Sequence, residues 1–95
     1  MDESNKIVEI PVDGVLDLHT FAPREVAAVV LAYLLECARE GILEVRLIHG
    51  KGIGNLRRIV EAVCDRHPSV VRHRPGSESE GGWGATVVTL RRGQP

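Results

Sequence analysis

Glu44-Val45-Arg46-Leu47-Ile48, then His49-Gly50-Lys51-Gly52-Ile53-Gly54, then Asn55-Leu56-Arg57-Arg58-Ile59-Val60-Glu61-Ala62-Val63-Cys64 are the three joined runs that decide the architecture. The first is short and rich in β-branched and aliphatic residues, which reads as a strand. In the third, Leu56, Ile59, Val60 and Val63 fall at i, i+3, i+4 and i+7 of a helix. The glycines therefore occupy a strand-to-helix turn, where they allow positive φ and close approach of a ligand while the unpaired N–H groups of the new helix point into the same space. A chain binds an anion in this way, typically a phosphate. Arg57 and Arg58 stand in the first turn against the helix dipole, at about 0.3–1 kcal/mol each if solvated. From Val45 to Val60 there is no acid, only Arg46, Lys51, Arg57 and Arg58 with His49 among them, so an external anion is the expected counter-charge. Taken alone, the glycines also suit a plain solvated turn. The run is not a P-loop, since no Lys-Ser or Lys-Thr follows the last glycine, and it lacks the Gly-x-Gly-x-x-Gly spacing of a dinucleotide site.

Upstream, residues 1–6 read as a tail, and Ile7-Val8-Glu9-Ile10 as a short edge strand or surface segment ended by Pro11. Gly14-Val15-Leu16-Asp17-Leu18-His19 alternates as a strand, with Leu16 and Leu18 on one side and Asp17 and His19 on the other. A helix follows from Pro23, with Glu25 near its positive end, Val26, Val29, Val30, Tyr33, Leu34 and Cys37 as core stripe, and Gly41 as C-terminal cap. Ala27, Leu31 and Leu35 form a second stripe. It is expected to lie buried against the sheet, with a homotypic or partner contact as the alternative.

Downstream, His67-Pro68 stops the second helix, and Val70-Val71-Arg72-His73-Arg74 reads as a third strand. Pro75 to Gly82 has the composition of a mobile loop with nothing to bury. Gly84 to Leu90 is the fourth strand, and residues 93–95 end the chain as a tail. The expected fold is α/β in β-α-β-α-β-β order, one small mixed sheet with two helices. Residues 14–92 form the domain, and residues 1–13 are a tail with an edge strand.

With 95 residues, 43% hydrophobic and 26% charged, the chain suits one soluble domain with a single modest core. Twelve Lys and Arg against 13 Asp and Glu give a net charge of −1, which argues against indiscriminate binding to polyanions. The average hides a segregation: acids dominate the first seventeen residues, while Arg66, Arg72, Arg74, Arg91 and Arg92 weight the second half. Cys37 and Cys64 have apolar neighbours and no metal-site spacing, which reads as buried free thiols in a reducing compartment. The N-terminus is acidic and polar, unlike a signal peptide, and the longest apolar run, Val26 to Leu35, is too short to span a bilayer. The expectation is a cytoplasmic protein, monomeric and without a membrane partner.

If the strands at 14–18 and 44–48 are parallel neighbours, their carboxyl ends share one edge of the sheet, where open α/β sheets bind ligands. That edge collects Asp17, His19, His49, Lys51 and the glycine turn. Each has a structural alternative: Asp17 as a helix cap, His19 as a partly buried aromatic. His67 and His73 fall outside the cluster and read as surface residues. Trp83, the one tryptophan, sits between glycines and either stacks on a nucleobase or folds back onto the core.

Three blocks, Leu16-Asp17-Leu18-His19, His49-Gly50-Lys51-Gly52 with Gly54 and Leu56-Arg57, and Gly81-Gly82-Trp83-Gly84-Ala85-Thr86-Val87, together resemble the Smr (small MutS-related) domain. The resemblance covers about residues 14–92 in the family's order and spacing. It implies a two-layer sandwich like the C-terminal domain of bacterial translation initiation factor three, and a nucleic-acid-directed function, with DNA nicking in some members and RNA cleavage in others. It carries the implicated positions onto Asp17, His19, His49, Gly50, Gly52 and the loop of Gly82, Trp83 and Gly84. Many members have glycine directly after the first block's histidine, where this chain has Thr20.

The resulting expectation is an endonuclease acting on DNA or RNA. One of His19 and His49 serves as general base or acid near neutral pH, and Asp17 orients it or holds a divalent cation such as Mg²⁺ or Mn²⁺. Lys51, Arg57, Arg58, Gly54 and the other turn residues hold the phosphate. The alternatives are an adaptor that binds structured or branched nucleic acid without cutting it, a reading that Thr20 favours, and a protein-interaction domain built on the second stripe of the first helix.

Overall fold

Leu16 and Leu18 are buried and Asp17 and His19 exposed, as their alternation requires, around a first strand of three residues, β1 (Val15–Asp17). This computed structural model describes residues 10–52 and 54–92. Leu18 adds one more rung by donating its N–H to the Ile48 carbonyl at 2.8 Å. Helix α1 (Pro23–Glu40) opens with proline, and Glu25 reaches back to accept the Ala22 N–H at 3.0 Å. It ends where Gly41 takes φ 81°, and the N–H groups of Gly41 and Ile42 return to the Ala38 and Cys37 carbonyls. Strand β2 (Glu44–Ile48), helix α2 (Asn55–Arg66), and strands β3 (Val70–Pro75) and β4 (Ala85–Leu90) complete the β-α-β-α-β-β order, with two 3-10 turns, Glu78–Glu80 and Gly82–Gly84, between the last strands.

The four strands lie in the order β1-β2-β4-β3. β1 runs parallel to β2, and β4 is antiparallel to both β2 and β3, which makes the small mixed sheet that the sequence implies. Leu16, Leu18, Val45, Leu47, Val88 and Leu90 join Val26, Val30, Leu34, Val60 and Cys64 in one buried cluster, so the helices cover a single face. Cys37 and Cys64 are free and buried, and burial pushes the Cys64 thiol up to about 11. Tyr33 brings the one phenol into this core. Its hydroxyl accepts the N–H groups of Gly14 at 3.0 Å and Asp13 at 3.3 Å, and lies 3.2 Å from the Val15 carbonyl it can donate to. The start of β1 is thereby fastened to α1.

Three expectations need correction. Ala27, Leu31 and Leu35 face solvent, with Leu31 46% and Leu35 45% exposed: α1 shares a four-stranded sheet with α2 and turns only its Val26–Val30–Tyr33–Leu34 side to the core. His67 is buried, not on the surface, because it caps α2 and its Nδ1 accepts the Ser69 N–H at 3.1 Å. His73 is partly covered, with Nε2 2.8 Å from Asp65 Oδ1. The stretch from Pro75 to Gly82 is folded into turns: the Arg74 guanidinium makes two hydrogen bonds to Glu80 at 2.8 and 3.2 Å, Glu80 also accepts the Ser77 N–H, and the Gly82 N–H returns to the Ser77 carbonyl. Such a clasp has no periodicity, so composition alone could not reveal it. The expected tail and edge strand through residue 9, and the tail at 93–95, lie outside the described residues. Among the described residues no helix is long and apolar enough to cross a membrane.

Tyr33→Phe should lower stability by about 1–2 kcal/mol in urea titration, since two backbone N–H groups lose their acceptor. The Arg74 side chain, followed by the Ser77 N–H and hydroxyl, holds the Glu80 carboxyl down at about 2. A depressed carboxyl keeps its contact above the ordinary carboxylate range and loses it as pH falls through about 2. Arg74→Ala should move the Glu80 titration, followed by NMR, back towards that ordinary range.

Candidate functional site

Because β1 and β2 are parallel, their carboxyl ends meet on one edge: Asp17 lies opposite Ile48, and His49 follows directly. Asp17 Oδ1 accepts the His19 backbone N–H at 3.1 Å and lies 2.5 Å from His19 Nδ1. The backbone N–H first, and then the ring, hold the Asp17 carboxyl below its ordinary range. An ionised carboxylate only accepts, so Nδ1 carries a proton, and in a neutral ring Nε2 is then the nitrogen with the free lone pair. The pair is open to solvent, the His19 side chain 69% and that of Asp17 50% exposed. The Phe21 N–H closes a turn onto the Leu18 carbonyl at 3.0 Å, with Thr20 exposed within it and no positive φ. A threonine is therefore carried there without backbone strain.

In the turn after β2, Gly50 and Gly54 take φ 86° and 90°, while Gly52 needs no left-handed backbone. Gly54 is the N-cap of α2. Among the described residues no side chain caps this helix, and its first turn holds no acid. A Cβ added at Gly52 would meet nothing within 4 Å. Neither conformation nor packing within the described residues demands glycine there. A cavity of about 210 Å³ opens at this point, lined by Gly50, Lys51, Gly52, Gly54, Arg57 and Trp83. Among the described residues Lys51, Arg57 and Arg58 make no ion pair. Arg58 is exposed on α2 but does not line the cavity.

His49 has a different place from His19. It is 6% exposed, its Nδ1 lies 3.1 Å from the Gly50 carbonyl and its Nε2 2.9 Å from Thr86 Oγ1. A neutral ring satisfies both contacts by donating from Nδ1 and accepting the threonine hydroxyl at Nε2. Beside it the Gly84 carbonyl accepts the N–H groups of His49 and Gly50 at 2.8 and 2.9 Å. A Cβ on Gly84 would stand 3.3 Å from Lys51 Cγ and 3.5 Å from Gly50, and one on Gly82 would stand 4.0 Å from Lys51 Nζ. The Lys51 side chain thus runs across the Gly82–Gly84 turn. Thr86, which the sequence reading passes over, could have been found as a polar residue at an inward position of a buried strand, opposite Leu47. Among the described residues no three His, Cys, Asp or Glu side chains converge as a metal centre.

The model of the Smr domain matches residues 16–91. The chain belongs to the Smr domain family. Its fold is similar to that of the crystal structure of the Smr domain of Thermus thermophilus MutS2, with a TM-score of 0.78 and 34% identity over 83% of this chain and 99% of that one. YdaL, a stand-alone small MutS-related protein from Escherichia coli, is also similar, with a TM-score of 0.75 and 26% identity over 85% of this chain and 66% of that one. Among curated proteins, endonuclease MutS2 of Clostridium botulinum is 40% identical over 80 residues, 84% of this chain. The chain spans about a tenth of the length of that relative.

Within this Smr domain, Gly50→Ala and Gly54→Ala should each cost about 1–2 kcal/mol for forcing a side chain into left-handed backbone. Gly52→Ala should stay within about 0.5 kcal/mol of the parent in the same denaturant titration.

Proposed function

We propose that this Smr domain binds nucleic acid at the β1–β2 edge and hydrolyses its phosphodiester bonds. The observation that carries the reading is an exposed Asp17–His19 pair on the same sheet edge as an acid-free glycine turn with two cations, Lys51 and Arg57, that make no ion pair among the described residues. A backbone phosphate seats at Gly50–Gly54, where Lys51, Arg57 and the leading N–H groups of α2 take up charge on its non-bridging oxygens. Close approach at Gly52 lets the phosphate reach the main chain. Membership of a family that includes proteins named endonuclease MutS2 supports the same reading.

The acid–base group is His19, not His49, because His49 spends both ring nitrogens on Gly50 and Thr86 whereas His19 Nε2 is uncommitted. His19 Nε2 takes a proton from the attacking water as its oxygen bonds to phosphorus. Asp17 keeps the imidazole in the Nδ1–H tautomer and stabilises the imidazolium that forms. The P–O ester bond then breaks, and the departing oxygen recovers a proton from Nε2 or from solvent. Asp17 is the carboxylate best placed to bind a divalent cation, since its Oδ1 takes both bonds from His19 and leaves Oδ2 open. Thr20 sits in its turn without positive φ, so the backbone that carries the Asp17–His19 pair accommodates threonine there.

The test is cleavage of supercoiled plasmid and of a structured RNA, with and without EDTA, alongside binding measured by gel shift. His19→Ala should slow cleavage by about 10²- to 10⁴-fold with binding retained, the usual range for losing a general base. Asp17→Asn should also slow it. Gly52→Ala should weaken binding itself while the fold holds. Binding without any cleavage by the parent protein would leave a nucleic-acid adaptor, and absence of both would remove the proposed function.

A further inference from the structure

Trp83 is 75% exposed and takes no part in the buried core. Its backbone is nevertheless fixed: the Gly82 N–H bonds the Ser77 carbonyl at 2.8 Å, the Gly84 N–H bonds that of Gly81 at 3.0 Å, and the Gly84 carbonyl holds His49 and Gly50. A rigid turn thus holds in water an indole whose burial would stabilise the fold by roughly 1.5–3 kcal/mol, the range for a large apolar side chain. That ring lies outside the buried cluster. It forms one wall of the same cavity as Lys51 and Arg57, and the Lys51 side chain crosses the turn that carries it.

We infer that Trp83 is a stacking platform for one unpaired nucleobase, so that the site takes single-stranded or locally opened nucleic acid in preference to intact duplex. The inference rests on the phosphate site proposed above and adds the class of substrate that site accepts. Within a duplex both faces of an internal base are covered by its neighbours, and an indole finds a free face only on a base that is single-stranded, terminal or flipped out. A base on the Trp83 ring leaves its own phosphate beside Lys51 and Arg57, which line the same cavity. No acid occurs from Val45 to Val60 to repel the phosphate, and every base offers a π-face, so the preference is for strand state and not for sequence.

Trp83 is the only tryptophan of the chain, so its fluorescence reports on this surface alone. Titration with unstructured oligothymidylate should quench it, and the duplex of the same strand with oligoadenylate should not, while anisotropy of labelled strands measures binding independently. Trp83→Ala should weaken single-strand binding about 5- to 100-fold, the usual range for one lost stack, and duplex binding by less than about 2-fold. Trp83→Phe should recover most of the loss, because it keeps a ring. Single-strand binding that leaves the fluorescence unchanged and survives Trp83→Ala would overturn the stacking role while leaving the phosphate site standing. Equal quenching by duplex would overturn the preference. If neither nucleic acid binds by anisotropy, the phosphate site fails and this inference with it.

Discussion

The carbonyl oxygen of Gly84 takes two N–H groups at once, from His49 at 2.8 Å and from Gly50 at 2.9 Å, and the working edge of the domain depends on it. Its bonds extend the β2–β4 ladder past the Ile48–Ala85 pair and hold the chain where it leaves the sheet for the glycine turn. The His49 ring adds a second tie between the same segments through Thr86. A Cβ on Gly84 would crowd the Lys51 side chain at 3.3 Å and touch the Gly50 backbone at 3.5 Å, so the two segments lie close on both sides of that carbonyl. Two loops from distant parts of the sequence thereby become one surface.

The four histidines show how environment divides one residue type among tasks. His49 and His67 are buried and bonded to neighbouring backbone or hydroxyl groups, and they serve turns and caps. His73 pairs with Asp65 between β3 and α2. Only His19 combines an exposed ring with one nitrogen fixed by a carboxylate and the other uncommitted. Position along the sheet edge does not separate His19 from His49. Pleat does, because Asp17 and His19 alternate outward from Leu16 and Leu18, whereas His49 continues the inward series of Val45 and Leu47.

Local rules made much of the fold legible. Proline and glycine bracket α1, a 3.6-residue period marks both helices, and apolar alternation marks β1, so the element order and the mixed sheet follow from the sequence. The glycine turn and the nearby Asp17–His19 pair were legible for the same reason, since parallel neighbours must end on one edge. What escaped depends on contacts between distant residues. The Arg74–Glu80 clasp, the burial of His67 and the tie from His49 to Thr86 need a partner that no window of sequence displays. The outer stripe of α1 escaped for a different reason: apolar content says what burial would favour, and not how much sheet there is to provide it.

The three-residue length of β1 sets apart the two halves of the edge. β1 is a border strand, paired on one side only, and is anchored at its start by Tyr33; the glycine turn hangs from the central pair β2–β4. Opening of a border strand needs far less free energy than opening of the middle of a sheet. Leu16 and Leu18 on either side of Asp17 lie in the buried cluster, however, so this border strand cannot lift without opening the core. The Leu18–Ile48 hydrogen bond is the last rung before the chain turns away, and packing, more than ladder length, keeps Asp17 and His19 on the edge that carries the glycine turn.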